Sequence, residues 1–299
     1  MKRAILLAAA VALFSAPGWA AQNYAAKGLV LKVDKQHGSV LLSLERIPGY
    51  MEAMTMSFPA RNPEELSDLS VGETIEFNLV VDGSNAFIEK IHVHHYEGVE
   101  EDPMSAKRLK LMAGLVNPAA PKELKVGEQV PDFSLIDQNR QSVSLSQFSG
   151  KVVAVSFTYT RCALPNFCFR ISNNFRTLQK RFAGSMGRDL ILLTITFDPA
   201  HDTPEVMAKY GETWSADPKS WRLLTGEPSK VEEICNRFGI SFWPDEGLMI
   251  HSLHTFVIDR NGKLVANLEG NEYSADQLGD LVRMVLEKPQ GQTVHSATR

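Results

Sequence analysis

Two patterns of apolar and polar positions divide this chain. Between Lys27 and Ile91 short β-rich runs dominate, at Gly28–Val33, Ser39–Leu44, Thr74–Val81 and Ala86–Ile91. They are separated by turn-forming stretches, Asp34-Lys35-Gln36-His37-Gly38, Val71-Gly72-Glu73 and Asp82-Gly83-Ser84-Asn85. Short strands punctuated in this way predict a small all-β barrel, and the length suits an OB-like one. From Gly127 onward strands alternate with helices. Val152–Phe157 and Leu190–Phe197 are near-continuous apolar runs, as strands covered on both faces should be. Between them Ile171, Phe175, Leu178 and Phe182 recur at helical spacing. Near the end Ser274-Ala275-Asp276-Gln277 is a capping box ahead of Leu278, Leu281, Val282, Val285 and Leu286, and Pro289 stops that helix. The alternation predicts an α/β unit built on a mostly parallel sheet.

The stretch from His92 to Val126 carries acidic, basic and proline-containing patches, among them Glu100-Glu101-Asp102-Pro103 and Pro118-Ala119-Ala120-Pro121. It reads as a linker with room for a short helix over Ser105–Val116. The predicted organisation is therefore a β-barrel at 27–91, a linker at 92–124 and an α/β domain at 125–288.

Ahead of the barrel, Met1-Lys2-Arg3, an apolar run from Ala4 to Phe14 and the small-residue stretch ending at Ala20 form the three-part pattern of a secretory signal peptide over 1–20. The apolar run is shorter than the roughly 20 residues a membrane span needs, so the expected protein is exported and soluble, an uncleaved N-terminal anchor being the alternative. Removal of that segment leaves about 280 residues, a length that suits two domains. The apolar fraction of 44% and charged fraction of 22% suffice for a sizeable core. A net charge of -4, with basic residues scattered apart from Lys107-Arg108-Lys110, argues against a nucleic-acid partner.

Export changes the meaning of the three cysteines, because an oxidising compartment drives thiols toward disulfides and leaves one over. Cys235 shares a helical face with Ile234 and Phe238 and is expected to be a buried small hydrophobe. Cys162 follows the strand ending Phe157-Thr158-Tyr159-Thr160-Arg161, and a helix is expected from near Phe169, just after Cys168. A helix N-terminus favours thiolate, the form that binds metal. Composition alone favours a structural disulfide for the pair, and both readings stay open.

Four blocks in order carry a closer resemblance: Gly127-Glu128-Gln129-Val130-Pro131-Asp132-Phe133, then Phe157-Thr158-Tyr159-Thr160-Arg161-Cys162, then Phe197-Asp198-Pro199-Ala200-His201-Asp202-Thr203-Pro204, and finally His251-Ser252 leading to Val257-Ile258-Asp259. From about Lys125 to Glu287 the chain resembles the Sco/SenC family. That resemblance implies a thioredoxin-like α/β fold and a copper protein associated with assembling the copper site of cytochrome oxidase. It also implies a ligand set of two cysteines and one histidine, which by motif position are Cys162, Cys168 and His251. Two soft thiolates with an imidazole suit copper better than structural zinc, which favours a fourth donor. His254 competes for the imidazole role; were 252–258 one strand, it would face away from His251. The sequence departs from the family's C-x3-C with proline after each cysteine, for Ala163 and Phe169 stand at those places and the intervening loop is longer.

The N-terminal segment Ile47-Pro48-Gly49-Tyr50-Met51-Glu52-Ala53-Met54-Thr55-Met56-Ser57-Phe58 resembles the copper-binding segment of CusF-like periplasmic proteins, and Leu69 to Phe77 resembles their closing strand. The resemblance implies Cu(I) held by Met54 and Met56, alternate residues whose thioethers face one side of a strand and which are soft donors. The family's histidine falls near Leu44 and its tryptophan near Tyr50 or Met51, so Met51 could replace a lost ligand and Tyr50 supply the aromatic neighbour. Core packing is the other role open to these methionines. His92, His94 and His95 read as an exposed strand end.

Together the resemblances imply a periplasmic copper metallochaperone that delivers copper to a cupredoxin-like target such as the copper site of cytochrome c oxidase, with no small-molecule substrate. The alternative is a thiol-disulfide oxidoreductase that uses Cys162 and Cys168 to reduce the target's cysteines, since one dithiol can do either. A peroxidase is a weaker third reading: Cys162 follows Thr160 as in some peroxiredoxin-like sites, without the usual proline before the threonine.

Overall fold

The computed structural model describes residues 21–94, 123–162, 167–245 and 248–288. The predicted signal peptide, most of the predicted linker with His95, and the loop 163–166 lie outside the described residues. Among the described residues no helix is long and apolar enough to cross a membrane.

Five strands form the N-terminal unit: β1 (Gln22–Asp34), β2 (Ser39–Leu44), β3 (Thr55–Pro59), β4 (Thr74–Asp82) and β5 (Asn85–Val93). They make one antiparallel sheet in the order β3-β2-β1-β4-β5, and its two edges meet at a single bridge between Ala60 and Ile88. β1 extends well before the predicted Gly28, pairing Gln22 to Leu29 with β4. β3, which contains Met56, takes the β2 edge with Leu42 opposite Met56.

The second unit is built on seven strands: β6 (Ser134–Asp137), β7 (Ser142–Ser144), β8 (Val152–Thr158), β9 (Leu190–Thr196), β10 (Trp221–Thr225), β13 (His254–Ile258) and β14 (Leu264–Glu269). Their order is β14-β13-β8-β9-β10-β6-β7, with β8, β9 and β10 mutually parallel and β13 antiparallel to β8. A short hairpin of β11 (Phe242–Asp245) and β12 (Leu248–His251) stands apart from this sheet. The helices are α1 (Cys168–Arg181), α2 (Pro204–Trp214), α3 (Pro228–Arg237) and α4 (Ala275–Glu287). The succession β8-α1-β9 followed by the antiparallel pair β13-β14 and α4 is the thioredoxin-like arrangement. Every residue of β8 and β9 is buried, as the apolar runs required. α1, α2 and α4 pack their apolar stripes on one face of the sheet, and α3 covers the other with Val231, Ile234 and Cys235. Ser274 caps α4 in the predicted box with Gln277.

The two units share a core. In β1, Val30 faces the five-stranded sheet's own interior, while Leu29 and Leu31 are buried among Ala266, Leu268, Leu278 and their neighbours in the second unit. The register of β1 on β2 slips between Val30 and Lys32, a bulge that carries Leu31 outward. Polar contacts surround this plug: Ser43 and Thr55 donate to Asp280 at 2.7 and 3.0 Å, Gln277 donates to the Ser43 carbonyl at 3.1 Å, and Lys27 pairs with Glu272. His94 lies 3.2 Å from the same Glu272.

Gly72 closes the contact on the other side. Its φ of +97° belongs to glycine, and a Cβ there would meet the Asn267 carbonyl at 2.9 Å and the Ala266 side chain at 3.1 Å. Gly72→Ala is therefore expected to destabilise the protein by about 1–3 kcal/mol, read as a lower urea midpoint. An unchanged midpoint would mean that the turn can withdraw from β14 without cost.

Candidate metal centre

β8 delivers the chain to the site and α1 leads away from it. Cys162 lies four residues beyond the end of β8, and its N–H donates to the Tyr159 carbonyl at 3.4 Å; Cys168 is the first residue of α1. His251 ends β12, opposite Phe242 in the hairpin. The two sulfurs and an imidazole nitrogen all lie within 4.8 Å of one another, and all three residues are buried. Residues brought together from three separate places in the sequence, 162, 168 and 251, thus converge on one point.

The imidazole is oriented for coordination. His251 Nδ1 lies 3.0 Å from the Ser252 carbonyl, which can only accept, so the proton sits on Nδ1 and the Nε2 lone pair is turned toward the cysteines. That Nε2 is 3.7 Å from Cys168 Sγ. Tyr159 and Phe197 flank the ring with centroids at 5.6 and 4.7 Å, and Phe242 stacks on Phe197 at 5.4 Å. The Tyr159 hydroxyl accepts from the Met249 N–H at 3.4 Å, which ties β12 to the cysteine loop.

The expected thiolate at the helix N-terminus is not what the metal-free site favours. A hydrogen bond with Cys162, burial and the proximity of the second sulfur together push the Cys168 thiol well above its ordinary value. Two sulfurs in one dry pocket cannot both carry charge without a cation, and this outweighs the helix dipole. No disulfide joins any of the three cysteines, all of them buried, in this structure. Cys235 is fully buried in α3, and burial pushes its thiol up too, in keeping with a small core hydrophobe. His254 is buried away from the site, its Nδ1 2.9 Å from Asn267 Oδ1 and its ring stacked on Phe256. β13 begins only at His254, so its separation from His251 comes from the break at Ser252–Leu253 and not from strand alternation.

Sequence reasoning left one residue of this region without a role. Asp202, fully buried, accepts from the Thr160 N–H at 3.0 Å, the Thr160 hydroxyl at 2.5 Å and the Thr196 hydroxyl at 2.6 Å, and lies 2.9 Å from His201 Nδ1. Beside it Arg161 donates to Asp198 at 2.6 Å. Asp198, His201 and Asp202 also bring ligand-type atoms within 4.8 Å of one another, but the carboxylates are engaged in pinning residues 160–161 and thereby Cys162. The block Asp198–Pro204 was visible as a motif; its bracing function needed the fold.

The methionines are placed differently. Leu44, which stands near the imidazole position implied by resemblance, is a core leucine whose N–H donates to the Met54 carbonyl at 2.9 Å. Met51 and Met56 pack partly buried against the five-stranded sheet's core, while Met54 is 48% exposed and lines a cleft of about 490 Å³ between the two units. Tyr50 is exposed and stacks on Tyr24 at 4.4 Å. The same cleft is lined by Arg181, the last residue of α1, whereas Cys168 is its first. At 1.5 Å per residue those helix ends are about 20 Å apart. His92 is exposed opposite Glu76, and His94, instead of ending a free strand, joins the contact with the second unit.

Comparison with known proteins agrees with this division. The profile of the family described as SCO1/SenC matches residues 122–287, and that described as copper binding periplasmic protein CusF matches residues 23–93. A SCO2-like protein of Rickettsia typhi is 32% identical over 165 residues, covering 52% of this chain and 75% of the relative. Protein sco1 of Schizosaccharomyces pombe is 30% identical over 152 residues, 48% of this chain and 56% of that one. Among solved structures, yeast Sco1 with copper bound is 25% identical with a TM-score of 0.47, covering 57% of this chain and 92% of that chain.

Proposed function

Because this chain belongs to the SCO1/SenC family, we propose that it is a periplasmic copper chaperone that holds copper at Cys162, Cys168 and His251 and hands it to a cupredoxin-like target such as the copper site of cytochrome c oxidase. The convergence of these three donors within 4.8 Å carries the reading. The donor set fits the cargo. Two soft sulfurs and a neutral imidazole suit Cu(I) and Cu(II), and three ligands without a fourth leave an open position through which a target's own ligands can take the ion. Burial keeps water from competing, and Ser252, Tyr159 and Asp202 hold the donors in place before copper arrives. The match of residues 23–93 to a copper binding periplasmic protein supports both the compartment and a second, weaker Cu(I) site at Met54 and Met56, with Met51 as a further thioether.

The shared core holds the methionine segment apart from the cysteines. With the units docked, Met54 opens on a cleft at the far end of α1 from Cys168, so we propose that the methionine module exchanges copper with other molecules. The hydrogen-bonded thiol pair of Cys162 and Cys168 supports a second reading, in which this dithiol reduces a target disulfide.

Anaerobic Cu(I) titration of the reduced protein followed by X-ray absorption tests the first reading. The first equivalent is expected to show sulfur and imidazole ligation that is unchanged in Met54→Leu/Met56→Leu. Reduced cysteines that stay empty while the methionines fill, or a protein that exchanges disulfides with its target and takes up no copper, would overturn it.

A further inference from the structure

The histidines at the end of β5 belong to neither sulfur site, and the sheet brings them to one face with a carboxylate. His92 stands opposite Glu76 on β4, and Glu76 opposite Lys27 on β1, so the three side chains share a face and line one cleft of about 450 Å³. His94, two residues beyond His92, lies on the same side of the chain. Its Nε2 is 3.2 Å from a carboxylate oxygen of Glu272 in the second unit, and its Nδ1 is 3.7 Å from one of Glu76. The two distances mean different things. At 3.2 Å the acceptor-only carboxylate of Glu272 takes the N–H of the neutral ring, which leaves the lone pair on Nδ1. At 3.7 Å Nδ1 and the Glu76 oxygen are too far apart for a hydrogen bond. They are spaced as two ligands of one ion are, about 3–4 Å when each is bonded at about 2.0–2.2 Å. Lys27 pairs with Glu272, so among the described residues the Glu76 carboxylate pairs with His94 alone. His92 is exposed and makes no hydrogen bond or ion pair among the described residues, so a side-chain rotation is enough to bring its imidazole over Glu76.

We propose that His92, His94 and Glu76 form a binding site for Cu(II), separate from the sulfur donors, with Glu272 orienting His94. A metal-bound imidazole commonly donates its other N–H to a carboxylate, which fixes both the tautomer and the ring, and Glu272 is placed for that part. Two imidazoles and one carboxylate also suit zinc, but among divalent first-row ions Cu(II) is held most tightly by such a set. Cu(I), which thiolates and thioethers select, is not suited to it. The site shares no donor with the cysteines or the methionines, so it stands or falls independently of the copper reading above.

The test titrates Cu(II) into the untagged full chain carrying Cys162→Ser/Cys168→Ser, in which those thiols neither hold nor reduce the ion. One equivalent is expected to bind with the electron paramagnetic resonance spectrum of a tetragonal nitrogen–oxygen site, with couplings from two imidazoles and no thiolate band. His92→Ala is expected to leave one imidazole coupling and to weaken binding by more than about 10-fold. Glu76→Gln is expected to weaken it comparably with both couplings kept, and His92→Ala/His94→Ala to abolish the site. His37→Ala, at an exposed histidine held by Asp34 in the turn between β1 and β2, is the control and is expected to change nothing. The single change at exposed His92 carries the test should the double variant not fold. Three results would overturn the proposal: no one-equivalent site with imidazole couplings, couplings unchanged in the His92 and His94 variants, or an equal loss in His37→Ala, which would mean adventitious binding at surface histidines.

Discussion

Cys168→Ser is expected to remove the thiolate-to-copper charge-transfer band of the Cu(II) form and to lower copper affinity by more than about 100-fold, the upper end of what loss of a mere supporting residue costs. Serine has nearly the same shape, but its hydroxyl is a hard donor that does not ionise in this pH range, so the site is left with one soft anion where it had two. Cys162→Ser should behave alike, since the two sulfurs lie within 4.8 Å of the same imidazole nitrogen. His251→Ala is expected to do less to Cu(I), which is content with two sulfurs, than to Cu(II). Binding also has a sign with pH. Because Cys168 is held well above the ordinary thiol value, the metal-free site keeps its proton and copper must displace it. Affinity should therefore rise with pH throughout the range below that raised value, and proton release should appear as a buffer-dependent heat of binding. Survival of the band in both serine variants would place the copper elsewhere.

Asp202→Ala should give the second large effect, a loss of roughly 3 kcal/mol in stability together with weakened copper binding. The carboxylate accepts from the Thr160 N–H and from two hydroxyls while fully buried, and truncation strands all three donors in a dry pocket. Asp202→Asn keeps one carbonyl oxygen and the shape, and should fall between alanine and the unaltered protein. Urea unfolding followed by copper titration of the folded variants separates the two consequences. Copper affinity that stays intact in a destabilised Asp202→Ala protein would mean that residues 160–162 hold their place without the brace.

How much of this was legible depended on whether a local signal reported on a distant contact. The buried strands β8 and β9, α1 and the capping box of α4 were readable because their causes are local: continuous apolar runs, helical spacing and a Ser–Gln pair three residues apart. The candidate metal donors were readable only through motif order, since nothing in the spacing of 162, 168 and 251 says that a separate hairpin carries the histidine back over the cysteines. The protonation of Cys168 was misjudged, because a helix terminus can be seen in a sequence and a second sulfur in the same pocket cannot. The contact between units left a trace that barrel patterning passes over. Leu29-Val30-Leu31 is an unbroken apolar run in a strand that needed only one apolar face, and the second face turned out to be covered by Ala266, Leu268 and α4.

That strand has a consequence for how such a chain can change over time. Once Leu29 and Leu31 are committed to a neighbour's interior, neither unit can drift alone. A larger residue at Ala266 or any side chain at Gly72 must be answered across the boundary, and a gene rearrangement that parts the two halves leaves an apolar hole in one and an apolar knob on the other. The two matched modules are thereby held as one object.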